Sequence, residues 1–261
     1  LPASPGVPAA ATAATVVVPW NDAEAVAAAT AEHEFAAILA EPFPANMGLV
    51  PPADGFLELL RERADATGAL LVFDEVITGF RVAPGGAQEL AGVRPDLTVM
   101  GKVIGGGLPA AAYGGRRDLM EQVAPAGEVY QAGTLSGNPL AVAAGLASLH
   151  RLGDDAYLRL DDITRRLADG LREAAGGAPV QVASVTGLVT VFFSAEPVRD
   201  YAGAAACDQS AHAAWCRSLL ARGVYPPPSQ FEAWFPSLAH TDEHLEATLD
   251  AAAAAFDEAL G

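Results

Sequence analysis

The sequence predicts an α/β protein, a mostly parallel sheet with helices followed by a smaller α+β region. Leu70–Phe73 and Leu97–Met100 are short continuous apolar runs, the pattern of strands covered on both faces. The stretch between them, residues 74–96, is long enough for a crossover between parallel strands. From about Asp154 the texture changes to polar amphipathic helices separated by a strand, so residues 1–153 and 154–261 are expected to form two domains.

Taken in order, residues 1–20 are rich in Pro, Ala and Thr and end in a β-prone run, Val16–Val18. An Ala-rich helix is expected from about Asp22, then a strand over Phe35–Ala40 whose carboxyl end delivers Glu41 and Asn46 into a Pro/Gly loop. Asp54 reads as an N-cap ahead of Phe56, Leu57, Leu60 and Ala64, which share one helical face, and Gly68 stops that helix. The two apolar strands follow, ending in Asp74–Glu75 and in Gly101–Lys102. Asn138–Pro139 is a cap-plus-N1 signal for a helix through about Leu152. Beyond it come a helix over Tyr157–Ala174, a strand over Leu188–Ser194, and helices over Gln209–Ala221 and Asp242–Leu260.

Composition excludes some partners. Thirty-two acidic residues against fifteen basic ones give a net charge of −17, and no Lys/Arg cluster stands ready for a phosphate backbone, so nucleic acid is not an expected partner. Cys207 and Cys216 have neither zinc nor CxxC spacing, which fits a reducing, cytoplasmic setting. No apolar run approaches the roughly 20 residues that cross a bilayer, so no membrane partner is expected. Leu1 is not a start methionine, so any targeting segment would lie out of sight.

Parallel sheets place ligands beyond the carboxyl ends of their strands, where this chain puts Glu41 with Asn46, Asp74 with Glu75, and Lys102. A Lys desolvated at a sheet edge becomes nucleophilic toward a carbonyl, and an Asp beside it can face a cationic ring nitrogen. Pyridoxal phosphate wants both groups. On spacing alone, a loop lysine and a strand-end carboxylate remain an open alternative. Gly105–Gly107 fits neither a Walker loop nor a dinucleotide fingerprint; it permits a turn or a close backbone approach. His240 and His244 are four apart but lack a third ligand, and no metal site is expected.

Three ordered segments then narrow the reading: LLVFDEVITGFR at 70–81, MGKVIGGGLP at 100–109 and YQAGTLSGNP at 130–139. Together they resemble the class III aminotransferase family of fold-type I pyridoxal-phosphate enzymes. The likeness runs from LPASPGVP at the start to the final helix. It implies a fold-type I large domain, incomplete here, plus a small C-terminal domain, with pyridoxal 5'-phosphate or pyridoxamine 5'-phosphate as cofactor. It implies that Lys102 carries the cofactor as a Schiff base and shuttles protons. Asp74 would pair with the pyridine nitrogen, Val76 would pack on one ring face, and Asn46, with Glu41 beside it, would lie near the cofactor hydroxyl. Thr134 would reach the cofactor phosphate of a partner subunit, with Tyr130 beside it, so a homodimer with shared active sites is implied.

Within the family, YQAGTLSGNP and SQFEAWFPSLAHT at 229–241 resemble the branch that moves an amino group within one small amino-aldehyde substrate. Glu232 there matches an acid facing the substrate's amino groups, and a carboxylate suits a dicationic diamine intermediate. The alternatives are an ω-amino-acid-type transaminase that needs a separate keto acid, or an inactive truncated homologue. Two departures stand out. Ala45 occupies a position usually held by Gly, which displaces Asn46 if that backbone needs positive φ, and Trp234 stands where Gly is common. The phosphate-binding turn, the aromatic on the other ring face and the substrate-carboxylate contact are expected outside this chain. The isolated 261 residues are therefore expected to bind cofactor poorly and to be inactive.

Overall fold

Four strands form the larger sheet of the computed structural model, which describes residues 5–261. Residues 1–4, the first half of LPASPGVP, lie outside the described residues. Strands β1 (Ala37–Ala40), β2 (Leu70–Glu75) and β3 (Leu97–Met100) run parallel, and β4 (Ala112–Gly115) adds an antiparallel edge. The crossovers carry helices α3 (Phe56–Thr67) and α4 (Gly86–Ala91), preceded in the chain by α1 (Ala9–Thr12) and α2 (Ala23–Glu32). Phe56, Leu57 and Leu60 of α3 bury against Leu71 and Phe73 of β2, as their spacing along the helix requires.

Asp96, at the entry to β3, anchors the sheet. It accepts the Leu71 amide at 2.8 Å, Arg61 at 2.8 Å and Arg116 at 2.9 Å. Burial pushes its carboxyl up, but these donors outweigh burial and hold it at about 2.

After β4 come α5 (Arg117–Met120), a long exposed loop, and α6 (Pro139–Leu149), whose first turn is capped by the Asn138 side chain as expected. Then α7 (Asp154–Ala174), the hairpin β5 (Gln181–Val185) and β6 (Leu188–Phe192), α8 (Tyr201–Ala205), α9 (Gln209–Ala221) and α10 (Asp242–Leu260) build a second layer. Its core joins Ile163, Leu167 and Leu171 to Trp215, Leu219 and Phe256, with Trp215 stacked on Phe256 at 5.0 Å. The two sheets are not isolated from each other. Ala45, Leu49, Ile77 and Val82 pack with Leu188 and Ala233 in a shared buried cluster.

Several local expectations change. Val16–Val18 forms no strand; Val16 and Val17 are exposed, and Trp20 fixes the segment by donating to the Val50 carbonyl at 3.2 Å. Asp54 caps nothing, because Gly55 occupies the N-cap of α3 in the left-handed region at φ 79°. Strands β4 and β5 were not expected, since AYGG and QVASV carry no apolar run; the neighbouring strand supplies their hydrogen bonds. Among the described residues no helix is long and apolar enough to cross a membrane.

Candidate active site

The parallel register aligns the ends of β1, β2 and β3. Ala40 pairs with Phe73, and Asp74 with Val99, so Glu41, Asp74 and Lys102 all leave the sheet at its carboxyl edge. Lys102 opens a one-turn 3₁₀ segment, Lys102–Gly105, and is itself in the left-handed region at φ 45°. A lysine held there costs about 1–2 kcal/mol, a strain that persists only where the surroundings impose it. Its ammonium is exposed and makes no salt bridge among the described residues. The glycines behind it serve a close approach rather than a bare turn. A β-carbon on Gly106 would meet the Ala144 carbonyl, and one on Gly145 would meet the Ile104 carbonyl, so α6 lies directly against the turn that Lys102 begins.

Adjacent acids in β2 have opposite fates because successive side chains of a strand point to opposite faces. Glu75 is 1% exposed and accepts from Thr78 Oγ1 at 2.9 Å, the Ala87 amide at 2.6 Å and the Gln88 amide at 3.1 Å. It caps α4 and is a structural acid. Asp74 is half-buried, and among the described residues only the Val76 amide, at 3.0 Å, donates to its carboxylate. The Val76 side chain lies against Gly101: a β-carbon there would come within 3.2 Å of its Cγ1. Asp74, Val76 and Lys102 therefore share one corner of the sheet.

In the loop after β1, Asn46 Nδ2 donates to Glu41 Oε1 at 2.6 Å. Ala45 is buried and does not adopt positive φ, so it does not displace Asn46; the left-handed position is Gly48, at φ 76°. Gly48 lies where a side chain would collide with the Phe192 ring, and its amide donates to the Phe231 carbonyl at 2.8 Å. Thr190, buried in β6, accepts from the Leu49 amide at 3.0 Å and donates to the Glu232 carbonyl at 3.4 Å. The loop of Asn46 and the loop of Glu232 are thus tied through β6. The Glu232 side chain itself is exposed. Trp234 pairs by backbone with Val189 and stacks its ring on Trp215 at 5.5 Å, so its bulk goes into the core of the second layer.

Tyr130 is 83% exposed, Thr134 is exposed, and no hydrogen bond among the described residues joins either to Lys102 or Asp74. A cleft of about 970 Å³ beside their loop is lined by Val99, Ile104, Gln131 and Asn138. The histidines expected to be unligated have local tasks: the Nδ1 atoms of His240 and His244 accept from the amides of Ser237 and Thr241. Among the described residues no group of three or more His, Cys, Asp or Glu could hold a metal.

A family model described as class-III aminotransferase matches residues 1–256. The chain belongs to that family. It is 55% identical, over 98% of its length, to the glutamate-1-semialdehyde 2,1-aminomutase of Desulforudis audaxviator, and 54% identical over 99% to that of Thermomicrobium roseum. It spans 60% and 61% of those relatives' lengths. Among solved structures, an omega-transaminase from Sphaerobacter thermophilus superposes with a TM-score of 0.94 at 33% identity, covering 100% of this chain and 61% of that one. A glutamate-1-semialdehyde-aminomutase from Pseudomonas aeruginosa PAO1, in complex with PMP, superposes with a TM-score of 0.85 at 30% identity, covering 94% and 57%. The expected α/β fold-type I class is borne out.

For a class-III aminotransferase chain, two residues near the site escaped sequence reasoning. Thr190 has a legible signal, a single hydroxyl inside the apolar run Leu188–Phe193. Arg81 ends the LLVFDEVITGFR segment but carries no pattern of its own; its contacts are with residues more than a hundred positions away.

Proposed function

We propose that this protein is a glutamate-1-semialdehyde 2,1-aminomutase, converting glutamate-1-semialdehyde to 5-aminolevulinate through 4,5-diaminovalerate on the route to tetrapyrroles. The observation that carries the reading is the tie between the Asn46 and Glu232 loops through Thr190, within a chain 55% identical to enzymes of that name. It supports a carboxylate held in fixed relation to the strand-end corner, which suits a substrate that gains a second amino group.

The residues present fit the ring end of pyridoxal phosphate: a primary amine, a carboxylate whose second oxygen has no donor among the described residues, and a branched apolar side chain share one corner. When bound, that cofactor supplies a carbonyl that exchanges amines and a ring that withdraws electrons. Lys102 holds the aldehyde and, once freed, moves protons between substrate carbons. Asp74 keeps a proton on the ring nitrogen, and Val76 packs on one ring face. Asn46, oriented by Glu41, meets the ring hydroxyl. Thr134, with Tyr130 beside it, serves the phosphate site of the other subunit in a homodimer, in line with their exposed loop. Glu232 binds the amino groups of the diamine. Residues 1–153 and 154–261 form the large and small domains in this reading, and the cytoplasm is its setting.

The test uses protein from the complete reading frame, loaded with pyridoxamine phosphate and given glutamate-1-semialdehyde with no amino acceptor. Formation of 5-aminolevulinate by the wild type and not by Lys102→Ala is expected. Turnover only after a keto acid and an amine donor are added would move the assignment to transaminase, the reading favoured by the 0.94 superposition.

A further inference from the structure

Among the described residues Arg81 is a cation without an anion. Its Nη1 donates to the carbonyls of Gly187, at 3.3 Å, and Pro236, at 3.5 Å, and its guanidinium lies 4.9 Å over the Phe235 ring. Its Nε is buried and makes no hydrogen bond, and no carboxylate forms a salt bridge with it among the described residues. Burying a charge against carbonyls and an aromatic face is a weak return for lost hydration, so stability alone is a poor reason for an arginine here.

What the side chain does is geometric. It leaves the loop that follows Asp74 and reaches both the β5–β6 turn at Gly187 and the far end of the loop that carries Glu232. Its own backbone is fixed from behind. Phe80 is held at φ 56°, and its carbonyl accepts the Tyr157 hydroxyl at 2.9 Å. Within the Glu232 loop, Phe231 is held by Gly48, Glu232 by Thr190 and Trp234 by Val189. Among the described residues, Arg81 is the side chain of the loop after Asp74 that hydrogen-bonds the stretch beyond Trp234, at Pro236, and it lies over the Phe235 ring.

We propose that Arg81 is a positioning residue: it clamps the Glu232 loop to the Asp74 loop, sets the separation between Glu232 and the Lys102 corner, and so governs retention of the diamine. This rests on the aminomutase reading. The flat guanidinium, which lies over Phe235 while its Nη1 reaches both carbonyls, favours arginine over lysine, whose ammonium has no face to stack.

The test compares wild type, Arg81→Met, Arg81→Lys, Glu232→Gln and the Arg81→Met/Glu232→Gln double variant, all from the complete reading frame. Free 4,5-diaminovalerate released per 5-aminolevulinate formed should rise about tenfold in Arg81→Met, the size of change a desolvated cation–π contact supports. Cofactor content should not change, and Arg81→Lys should recover part of the effect. In the Glu232→Gln background Arg81→Met should add nothing, because the arginine acts through that carboxylate. Additive effects, or wild-type retention of the diamine, overturn the proposal. If Arg81→Met does not fold, Arg81→Lys carries the same cycle. Amide exchange at Val189, Trp234 and Phe235 supplies an arm independent of turnover. Should the wild type make no 5-aminolevulinate, the functional reading fails; faster exchange in the Arg81 variants then upholds the clamp, and unchanged exchange removes it as well.

Discussion

The carboxylate of Glu75 fills the space that a β-carbon on Gly86 would need, and Gly86 itself is in the left-handed region at φ 72°. The acid reaches this place from β2 to receive the amides of Ala87 and Gln88 at the start of α4. Gly86→Ala combines a backbone penalty with overpacking and should destabilise by about 2–4 kcal/mol. Urea unfolding should show a lower midpoint at unchanged slope. Glu75→Ala should cost about 1–3 kcal/mol by orphaning those amides. A midpoint unmoved in both variants would show that α4 is not held this way.

Lys102 should be the point of cofactor attachment. Borohydride reduction of the loaded enzyme followed by peptide mapping is expected to put the added mass on Lys102, and Lys102→Ala should lose it. Asp74→Asn should keep the attachment but slow turnover by on the order of 10²–10³, the scale of one preorganised electrostatic contact. Label on another lysine would remove the assignment.

Thr190→Val keeps the shape of the side chain but removes the hydroxyl between the Leu49 amide and the Glu232 carbonyl. Leaving the buried amide unpaired should cost about 1–3 kcal/mol. Because the two loops are tied there, KM for the amino aldehyde should rise while cofactor content stays constant. Equal KM values in steady-state assays would show that the tie does not matter to the site.

Acid stability should report on Asp96. Its folded value of about 2 lies below the ordinary 3.8, so the stabilisation is fully present above 3.8 and is lost as pH falls from there through about 2. Asp96→Asn should unfold at lower urea at pH 7 and lose less further stability than wild type between pH 4 and pH 2. Parallel curves for the two proteins would contradict this.

Cys207 and Cys216 are both buried, and burial raises both thiols, Cys216 to about 11. Thiol titration of the native protein at pH 8 should show almost no reaction, and in denaturant both should react. Rapid native labelling would mean that α9, for Cys216, or the turn ahead of it, for Cys207, opens readily.

By itself the sequence determined the elements whose signal is local. Apolar runs at 70–73 and 97–100 are strands, although they are less covered than the run suggests, with β2 alternating buried and half-buried residues and β3 half-buried throughout; Asn138–Pro139 caps α6 because the Asn138 side chain satisfies its first turn directly. Gly68 ends α3 for the same reason, through its own positive φ. The sequence also put Glu41, Asp74 and Lys102 at strand ends, since a parallel register follows from crossover length. Only the tertiary structure separated Asp74 from Glu75, because their difference lies in which face meets α4, not in their chemistry. The edge strand β4, the tie through Thr190 and the reach of Arg81 were likewise decided by partners far along the chain. A hydrogen bond across more than a hundred residues leaves no mark on local composition, so the geometry around Glu232 becomes visible only when the chain is folded.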